Sequence, residues 1–394
     1  MENPFVYGEV VPTASFVDRV DELDRLVRDL ASGQKVFLIS PRRYGKSSLI
    51  RQALRAVGRG GALTSDVTVR SYSSYLAFLE GYTRSLLAMQ TAGAPNAAAA
   101  LGWPGWDKAR TWLRDAIAAA RPELRLEADS SGAMGMAVKF PSVRTDRDIF
   151  RLASEVFALP GRLSDLRKTR IVIALDEFQA INAFNGGSVE HALRAAVQHQ
   201  RTVGYVFAGS EPSLMERMLG PKRPFYKAGP VMRLEKIPPE IFSAFIEARF
   251  SKTGIKPEPG LGASIVDLAG NMPYDVQRLA HESWDDARAA GQRRIGVDDL
   301  HSTLHRLLAE QDTMFEAVWQ RLTLPQRATL RAVVLSVGRE LLSADMRTRH
   351  RLAGASSVQT ALQALTREDL VAREGDRYVV VDSLMREWIA RKTF

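Results

Sequence analysis

The sequence has no cysteine among its 394 residues, and this absence narrows the kinds of protein it can encode. Without thiols there is no disulfide framework and no thiolate metal site, as is typical of proteins in a reducing compartment. No apolar run approaches the roughly 20 residues that a membrane-spanning helix needs. The first residues carry acidic side chains and lack the apolar core of a secretory signal. We therefore expect a cytoplasmic protein with no membrane association.

Acidic side chains are too few to balance the basic ones. Lys and Arg number 54 against 45 Asp and Glu, which leaves a net charge of +9 at pH 7. This excess is consistent with a polyanionic partner, although many soluble proteins are basic for other reasons. The length of 394 residues and the hydrophobic content of 45% are sufficient for two or three globular domains.

The most informative stretch combines an apolar run, a basic loop and a helical pattern between residues 35 and 57. The run at 36–39 predicts a buried strand, and the loop ends in Gly45-Lys46-Ser47-Ser48. The apolar positions after Lys46 are spaced as on one face of a helix. Strand, loop and helix in this order are typical of a site that wraps a triphosphate with backbone N–H groups. The predicted nucleotide contacts are Arg43, Tyr44, Gly45, Lys46, Ser47 and Ser48.

Two residues of this loop have predicted chemical roles. Lys46 is expected to reach the outer phosphates, and the Ser47 hydroxyl is expected to bind Mg²⁺. The usual pattern begins with a glycine, and Ser40 stands in its place. That glycine serves the shape of the loop, so the substitution leaves every phosphate-binding group present. The alternative is a Gly-Lys-Ser tripeptide that opens a helix by chance.

A pair of carboxylates follows a second apolar run, at 171–175, which predicts a strand buried on both faces. Ligands of open α/β sheets bind at the carboxyl ends of the strands, so both acids are expected near the phosphates. Asp176 is predicted to hold Mg²⁺, and Glu177 to orient or deprotonate the attacking water. A solvated Asp-Glu turn is the alternative.

A third apolar run, at 203–209, ends in Ser210. This small polar residue is predicted to contact the terminal phosphate or the attacking water, and a plain strand end is the alternative. Farther along, Arg217 and Arg223 are candidates for an arginine finger, which would require a neighbouring subunit or a domain closure. A surface charge with no phosphate partner is at least as good an interpretation of either arginine.

The sequence changes character twice after this core. Residues 238–322 are predicted to form helices without strands, with one helix ending at Gly270 and the next beginning at Pro273. The last segment, 323–394, predicts three helices followed by a β-hairpin, which is the plan of a winged helix-turn-helix domain.

We therefore predict an α/β fold with three domains. Residues 1–236 form a core with a parallel sheet and flanking helices, 237–322 a helical lid domain, and 323–394 the winged helix. Within the core, 90–145 is low in complexity and is interpreted as an insertion of unassigned purpose. Its tryptophans are expected to anchor packing, with a ligand box as the alternative. They are Trp103, Trp106 and Trp112.

The last segment carries twelve Arg and Lys against eight Asp and Glu, a net charge of +4. Three arginines cluster just before the predicted recognition helix, which itself offers two glutamines and few positive charges. Binding of double-stranded DNA is therefore modestly favoured over a protein-contact role. The candidate DNA contacts are Arg347, Arg349, Arg351, Gln359 and Gln363.

Together these motifs resemble the archaeal-ATPase group within the AAA+/STAND P-loop nucleoside triphosphatases, which is similar to origin-recognition-type initiators. The resemblance covers most of the chain outside 90–145, and it is specific as a combination of motifs. These motifs are Asn3-Pro4-Phe5, Phe16-Val17-Asp18-Arg19, Pro41-Arg42-Arg43-Tyr44-Gly45-Lys46-Ser47-Ser48, Leu175-Asp176-Glu177-Phe178, Gly209-Ser210, Pro224-Phe225-Tyr226, Gly270-Asn271-Met272-Pro273-Tyr274 and the terminal winged helix.

The resemblance implies binding of ATP and ADP with Mg²⁺, hydrolysis that is often slow, a helical lid and a winged helix that holds DNA. It also implies that Pro273 and Tyr274 lie near the base, with Pro4 and Phe5 flanking it. The region of Pro273 lacks the arginine that many AAA+ proteins use as a second sensor, since Arg278 comes later. A monomeric or small-oligomer switch is therefore a better expectation than a hexameric motor.

Two functions stay open on the sequence alone. One is an ATP-hydrolysing switch whose winged helix binds DNA. The other is a signalling or defence-type ATPase switch whose winged helix makes protein contacts only, within this chain or with a partner. A scaffold that binds nucleotide without hydrolysing it is a third possibility, which an assay for phosphate release separates from the others.

Overall fold

A computed structural model of the chain describes residues 2–8, 19–90, 122–128, 134–184 and 188–392, together with residues 111, 113, 115 and 117. The chain divides into two compact units, Arg19–Glu235 and Met1–Asp18 with Lys236–Phe394. No helix within the described ranges is both long enough and apolar enough to cross a membrane.

The first unit is built on a parallel sheet of five strands, in the order β2-β5-β6-β1-β7. A separate antiparallel hairpin is formed by β3 and β4. In chain order the elements are α1 (Val20–Ala31), β1 (Lys35–Ile39), α2 (Lys46–Arg59), β2 (Leu63–Thr68), α3 (Tyr75–Gln90), β3 (Glu123–Ala128), β4 (Met134–Lys139), α4 (Asp146–Arg167), β5 (Ile171–Asp176), α5 (Ser188–Val197), β6 (Val203–Gly209), α6 (Pro212–Met218) and β7 (Val231–Arg233).

The apolar runs of the sequence become the inner strands of this sheet. Every residue of β5 and β6 is buried, as expected for parallel strands with helices on both faces. The register sets Ile39 beside Gly209 and Leu175 beside Phe207, so that β1, β5 and β6 end at one edge. The predicted parallel sheet with flanking helices is confirmed. The sequence pattern did not predict β7, an edge strand of only three residues.

The predicted insertion at 90–145 is described only in part. The strands β3 and β4 pair in antiparallel fashion within this segment. Glu80 of α3 accepts hydrogen bonds from Lys139 Nζ at 3.3 Å and from the Phe140 backbone N–H at 3.2 Å. These bonds connect the end of β4 to α3. The predicted tryptophan anchors Trp103, Trp106 and Trp112 lie outside the described residues.

Strand β6 has a glycine where it crosses the end of α1. A Cβ atom on residue 204 would overlap the carbonyl oxygen of Leu30 and lie 3.1 Å from its carbonyl carbon. Gly204→Ala is therefore expected to lower the free energy of unfolding by about 1–3 kcal/mol, the usual cost of overpacking a core. Urea denaturation followed by circular dichroism measures this loss.

The matched control for this change is Gly58→Ala in α2. A Cβ on residue 58 would meet only Thr64 Cγ2, at 3.8 Å, which is an ordinary van der Waals contact. Alanine is also the better helix former, so the stability is expected to stay the same or to rise slightly. Equal losses in the two variants would contradict the packing argument for residue 204.

The second unit is helical, with two small sheets. Its elements are α7 (Pro239–Lys252), β8 (Lys256–Pro257), α8 (Leu261–Leu268), α9 (Pro273–Ala289), β9 (Arg294–Ile295), α10 (Val297–Arg321), α11 (Leu324–Leu335), α12 (Ala344–Arg349), α13 (Ala355–Arg367), β10 (Val371–Glu374), β11 (Arg377–Val380) and α14 (Ser383–Arg391). The short strands β8 and β9 pair in parallel. The expectation of helices without strands at 238–322 was therefore wrong at these positions, because a two-residue strand shows no period in a sequence.

The last part of this unit has the order of a winged helix. Helices α11, α12 and α13 precede the antiparallel hairpin of β10 and β11, which confirms the prediction from sequence. Helix α14 was not predicted, and it packs back on α10. Trp388 of α14 donates from Nε1 to Asp312 Oδ1 at 2.7 Å, and its ring lies 6.0 Å from that of Phe315.

Polar contacts also tie the winged helix to the preceding helices of its unit. Lys236 Nζ lies 2.9 Å from Glu374 Oε1, at the end of β10. The guanidinium of Arg386 donates to the carbonyl of Leu268 at 2.8 Å, at the C-terminal end of α8. Cations at this end of a helix satisfy the last carbonyls and interact favourably with the helix dipole.

Residues 2–8 also pack in this second unit, whereas the division made from sequence groups them with the core. Phe5 is 1% exposed, and its ring lies 4.8 Å from that of Phe250. Asn3 donates to the carbonyl of His281 at 3.1 Å, and the Tyr7 hydroxyl donates to Glu282 at 2.7 Å. Aromatic burial and hydrogen bonds to α9 therefore hold the segment in place.

Candidate nucleotide-binding site

The loop between β1 and α2 has the geometry of an anion-binding loop. Ser40 is fully buried, and its backbone N–H donates to the carbonyl of Gly209 at 3.1 Å. Gly45, the N-cap of α2, has φ of 87°, in the left-handed region that favours glycine. As a glycine, Gly45 has no side chain with which to cap this helix, and the N-terminus of a helix attracts anions through its first N–H groups and its dipole.

The residues inside the loop differ in exposure. Tyr44 is buried, whereas Arg43 is exposed and has φ of 68°. A non-glycine residue in the left-handed region costs conformational energy, and such residues cluster at functional sites. In this loop the positive φ angles are those of Arg43 and Gly45. Ser40, which stands in place of the usual first glycine, is not among the residues with positive φ.

Lys46 and Asp176, which are 130 residues apart in sequence, form an ion pair. Ser47 Oγ donates to Asp176 Oδ2 at 2.9 Å, and the Glu177 backbone N–H donates to Asp176 Oδ1 at 2.8 Å. The carboxyl end of β5 thus meets the start of α2. Burial lowers the pKa of Lys46, and the nearby Glu177 opposes that effect.

Glu177 is held from two sides. Its Oε2 accepts hydrogen bonds from Ser210 Oγ and from Gln179 Nε2, each at 2.6 Å, while its Oε1 lies 3.5 Å from Lys46 Nζ. Although burial raises the pKa of Glu177, the bond from Ser210 and the charge of Lys46 outweigh it and lower the pKa below the usual value. The carboxylate is therefore ionised at neutral pH. Its φ of 52° is a second left-handed non-glycine conformation at this edge of the sheet.

The order of the strands explains how these groups meet. Strand β6 lies between β5 and β1, so Ser210 follows β6 at a point between the phosphate loop and the two carboxylates. The structure thus brings together Lys46, Ser47, Asp176, Glu177 and Ser210, as the sequence predicts. Their roles in catalysis stay predictions.

Gln179 is a site residue that the sequence reasoning missed. It lies in the short 3-10 helix Phe178–Ala183 and is 4% exposed. The available signal was a polar residue two positions after Glu177, within a mainly apolar turn that also contains Asn182. A short turn has no period that separates an inward side chain from an outward one, so this signal is weak on its own.

The residues predicted to lie near the adenine belong to the second unit. Pro273 is the first residue of α9, and the ring of Tyr274 lies 5.9 Å from that of Tyr7 in an edge-on arrangement. Pro4 and Phe5 are in the N-terminal segment of the same unit. A contact of these residues with a nucleotide stays a prediction.

The two candidate arginine fingers have different surroundings. Arg223 Nη2 donates to Glu190 at 2.9 Å and to Asn182 at 3.2 Å, and Glu190 is completely buried. Arg223 therefore serves as the counter-ion of a buried carboxylate within its own unit. Arg217 is exposed on α6.

The candidate DNA contacts lie on the surface of the winged helix. Arg347 and Arg349 are in α12, Arg351 follows that helix, and Gln359 and Gln363 are exposed on α13. The pKa of the neighbouring His350 is lowered, first by burial and then by the charges of Arg349 and Arg331. Two guanidinium groups, those of Arg349 and Arg331, are therefore close enough to His350 to affect its ring.

No cluster of three His, Asp or Glu side chains that could hold a metal ion occurs in the part of the chain that the structure describes. A site for Mg²⁺ does not need such a cluster, because this ion is commonly bound by one or two carboxylates together with the phosphates of a substrate. The oxygen atoms of Ser47 and Asp176 are compatible with that arrangement.

Comparisons with solved structures place this fold among known ones. A Walker-type ATPase of Pyrococcus abyssi is 14% identical, with a TM-score of 0.58 over 97% of this chain and 99% of that chain. The ORC2 protein of Aeropyrum pernix, solved as ADPNP-ADP complexes, is 13% identical, with a TM-score of 0.53 over 98% and 96%. The ORC1 protein of the same organism, solved with DNA, is 14% identical, with a TM-score of 0.50 over 99% and 98%.

The comparison with protein families identifies one domain of the chain. Residues 313–391 match the family described as "Probable winged helix domain", and a search of curated proteins found no match. The family match includes the three helices and the hairpin of the terminal segment. The chain therefore has the fold of the archaeal Walker-type and origin-recognition ATPases, a P-loop nucleoside triphosphatase core and helices followed by a C-terminal winged helix domain.

Proposed function

We propose that this protein binds ATP and hydrolyses it slowly with Mg²⁺, and that it works as a nucleotide-dependent switch. The observation that carries the proposal is the meeting of Lys46, Ser47 and Asp176 at the carboxyl edge of the sheet. A cation, a hydroxyl and a carboxylate converge there at a loop that leads directly into the N-terminus of α2. The A. pernix ORC2 structure, which contains ADPNP and ADP, supports the choice of an adenine nucleotide.

Each group of the site has an assigned task. Lys46 and the amides of the loop, from Arg43 to Ser48, hold the phosphates. Ser47 and Asp176 supply oxygen ligands to Mg²⁺, and their side-chain oxygens are 2.9 Å apart. The ion, when bound, neutralises charge that develops on the outer phosphates.

Glu177 is the group that acts on water. Its ionised carboxylate accepts a proton or a hydrogen bond from the attacking water and so aligns it with the γ-phosphate. Ser210 fixes that carboxylate through its 2.6 Å hydrogen bond and can contact the terminal phosphate in turn. Arg217 is the better candidate for a finger, because Arg223 already neutralises buried Glu190.

A phosphate-release assay combined with a titration of ATP tests this proposal directly. Binding together with Mg²⁺-dependent release of phosphate supports an ATPase. Binding without release supports a scaffold that has lost hydrolysis. Absence of both overturns the proposal.

We further propose that, within the two described units, the core ends near residue 236, a lid spans 237–322 together with residues 2–8, and a winged helix spans 323–394. In this proposal Pro273 and Tyr274, with Pro4, contact the adenine, while Phe5 is buried against Phe250 and anchors the segment that carries Pro4. A change in the affinity for ATP on substitution of Tyr274, with an unchanged affinity for inorganic triphosphate, would support that contact. An equal effect on both ligands would contradict it.

The winged helix is proposed to bind double-stranded DNA. The positive surface around α12 supports this role, as does the presence of DNA in the A. pernix ORC1 structure. Replacing Arg347, Arg349 and Arg351 by alanine is expected to weaken duplex binding by about 10- to 100-fold and to reduce the salt dependence by about three counterions. A gel-shift titration at several salt concentrations, with and without ATP, measures both quantities.

The matched control removes three exposed arginines from the helical part of the same unit, Arg288, Arg293 and Arg294. The net charge then changes by the same amount while the surface around α12 stays intact. An equal loss in the two triple variants would show that only overall charge matters. Duplex binding that does not respond to salt would contradict the proposed site.

A second function, a signalling or defence-type switch without DNA, is favoured by a separate observation. The exposed glutamines of α13, Gln359 and Gln363, are neutral, and Lys236 and Arg386 tie the winged helix to the helices before it. These contacts fit a winged helix that locks its own unit or holds a protein partner. A change in protease sensitivity or in oligomeric mass on addition of ATP, measured without DNA, would support this function. If these changes with ATP occur only when DNA is present, the function is contradicted.

A further inference from the structure

The side-chain amide of Gln179 has three acceptors around its nitrogen. Nε2 lies 2.6 Å from Glu177 Oε2, 3.3 Å from Ser210 Oγ and 3.4 Å from Glu211 Oε1. Two of these neighbours are carboxylates, which only accept hydrogen bonds when ionised. An amide nitrogen with two hydrogens therefore suits this position, whereas a third carboxylate would repel the other two.

Among the described residues, the carbonyl oxygen at the opposite end of the same amide has no hydrogen-bond partner. The hydrogen bonds of this side chain are therefore those of its nitrogen end. The contacts of Nε2 with Glu177 and Ser210 are therefore the ones that can explain a role of Gln179 in the site.

The surroundings leave the Gln179 side chain little freedom. Phe178, next to it, is 1% exposed and has its ring 4.7 Å from that of Phe207. On the other side is Gly209, where a Cβ atom would lie 2.7 Å from Gln179 Oε1 and would also collide with Met215. The absence of a side chain at residue 209 makes room for the amide, so its position is set by packing on both sides.

The two oxygens of Glu177 are consequently different. Oε2 accepts from both Gln179 and Ser210, whereas Oε1 has, among the described residues, a 3.5 Å contact with Lys46 Nζ. We propose that Gln179 is a positioning residue that, with Ser210, holds Glu177 by Oε2, so that Oε1 is the atom that accepts the proton of the attacking water. This inference rests on the proposed ATPase activity and assigns the reacting oxygen within it.

A double-mutant cycle between Gln179→Ala and Glu177→Gln tests the inference. Gln179→Ala alone is expected to lower the single-turnover rate of ATP hydrolysis by about tenfold or more, with the Kd for ATP changed by less than about threefold. In the Glu177→Gln background the same change is expected to alter the rate by less than about twofold, because Gln179 acts through Glu177. Equal effects in the two backgrounds, or an unchanged rate in the first, would overturn it.

Two further variants keep the test decisive. Gln198→Ala, an exposed glutamine of the same unit, is expected to leave both the rate and the Kd unchanged. Gln179→Met keeps most of the side-chain volume and removes the amide, so it replaces the alanine variant if the latter does not fold. A methionine variant with the rate of the unmodified protein would show that volume alone is required, and would overturn the inference.

A crystal structure of Gln179→Ala separates this inference from the proposed function. If the unmodified protein releases no phosphate, the proposed ATPase activity is wrong. The crystal structure of the variant still shows whether Gln179 positions the Glu177 carboxylate. Loss of the contact between Glu177 Oε2 and Ser210 Oγ in the variant is the expected result. A Glu177 carboxylate that keeps its place without the amide would overturn the inference.

Discussion

Lys46→Ala is expected to weaken ATP binding by at least about 100-fold and to abolish measurable turnover. The ammonium group is the side-chain cation of the loop that is assigned to the outer phosphates, and two charge-assisted hydrogen bonds of about 1.5 kcal/mol each correspond to that factor. Isothermal titration with ATP measures the affinity, and phosphate release measures turnover. The backbone amides of the loop remain, so a weak residual affinity is compatible with the proposed site.

The variant is expected to fold, because Asp176 keeps the hydrogen bonds from Ser47 and from the Glu177 backbone N–H. A thermal melt without nucleotide checks this point. The control is Lys252→Ala, an exposed lysine in the last turn of α7, which is expected to bind ATP as the unmodified protein does. Normal ATP affinity in the Lys46 variant would exclude the loop between β1 and α2 as the phosphate site.

Glu177→Gln is expected to spare ATP binding and to slow hydrolysis by about 10²- to 10⁴-fold, the usual contribution of a positioned general base. The amide retains the shape of the side chain but cannot accept a proton from water. Affinity within about threefold of the unmodified value is expected, because Lys46, Ser47 and the loop are unchanged. Single-turnover hydrolysis with saturating ATP separates the rate from the affinity.

The matched control is Glu216→Gln, which changes an exposed glutamate that pairs with Arg233 on the surface. Surface ion pairs of this kind contribute about 0–1 kcal/mol, so neither the rate nor the affinity should change. Equal loss of binding and hydrolysis in the Glu177 variant would refute the role assigned to this residue. A rate of hydrolysis unaffected by Glu177→Gln would show that another residue is the general base.

These two predictions separate nucleotide binding, assigned to Lys46, from hydrolysis, assigned to Glu177. The two residues lie in different parts of the chain. Lys46 comes from the loop after β1 and Glu177 from the end of β5. Lys46 is paired with Asp176 across 130 residues of chain, so the two ends of the site are joined by one contact.

Much of the core was predictable from local patterns. Apolar runs bounded by polar residues predicted β1, β5 and β6, because strands buried on both faces exclude polar side chains. The phosphate loop was predictable because Gly45 and Lys46 lie at a fixed distance from a strand and a helix. The winged helix was predictable for a similar reason, since three helical patterns and a short hairpin follow one another in its segment.

Other features depend on contacts that no local pattern contains. The burial of Phe5 against Phe250 and the pairing of Arg223 with Glu190 join residues that are distant along the chain or lie in irregular segments. The edge strand β7 and the pair of β8 and β9 are too short to have a period. Gln179 falls in the same class, because the direction of a side chain in a short turn depends on what packs around it.

The sequence by itself determined the chemistry of this protein: the groups that can hold phosphates, the two acids and the order of the secondary structure elements. Only the tertiary structure decided which of those groups meet, because the sheet order puts β6 between β1 and β5 and so brings Ser210 beside Glu177. It also decided which oxygen of Glu177 accepts the hydrogen bonds of Ser210 and Gln179. Sequence patterns specify the elements through local burial and backbone preference, whereas the site is formed by contacts across 130 residues of chain.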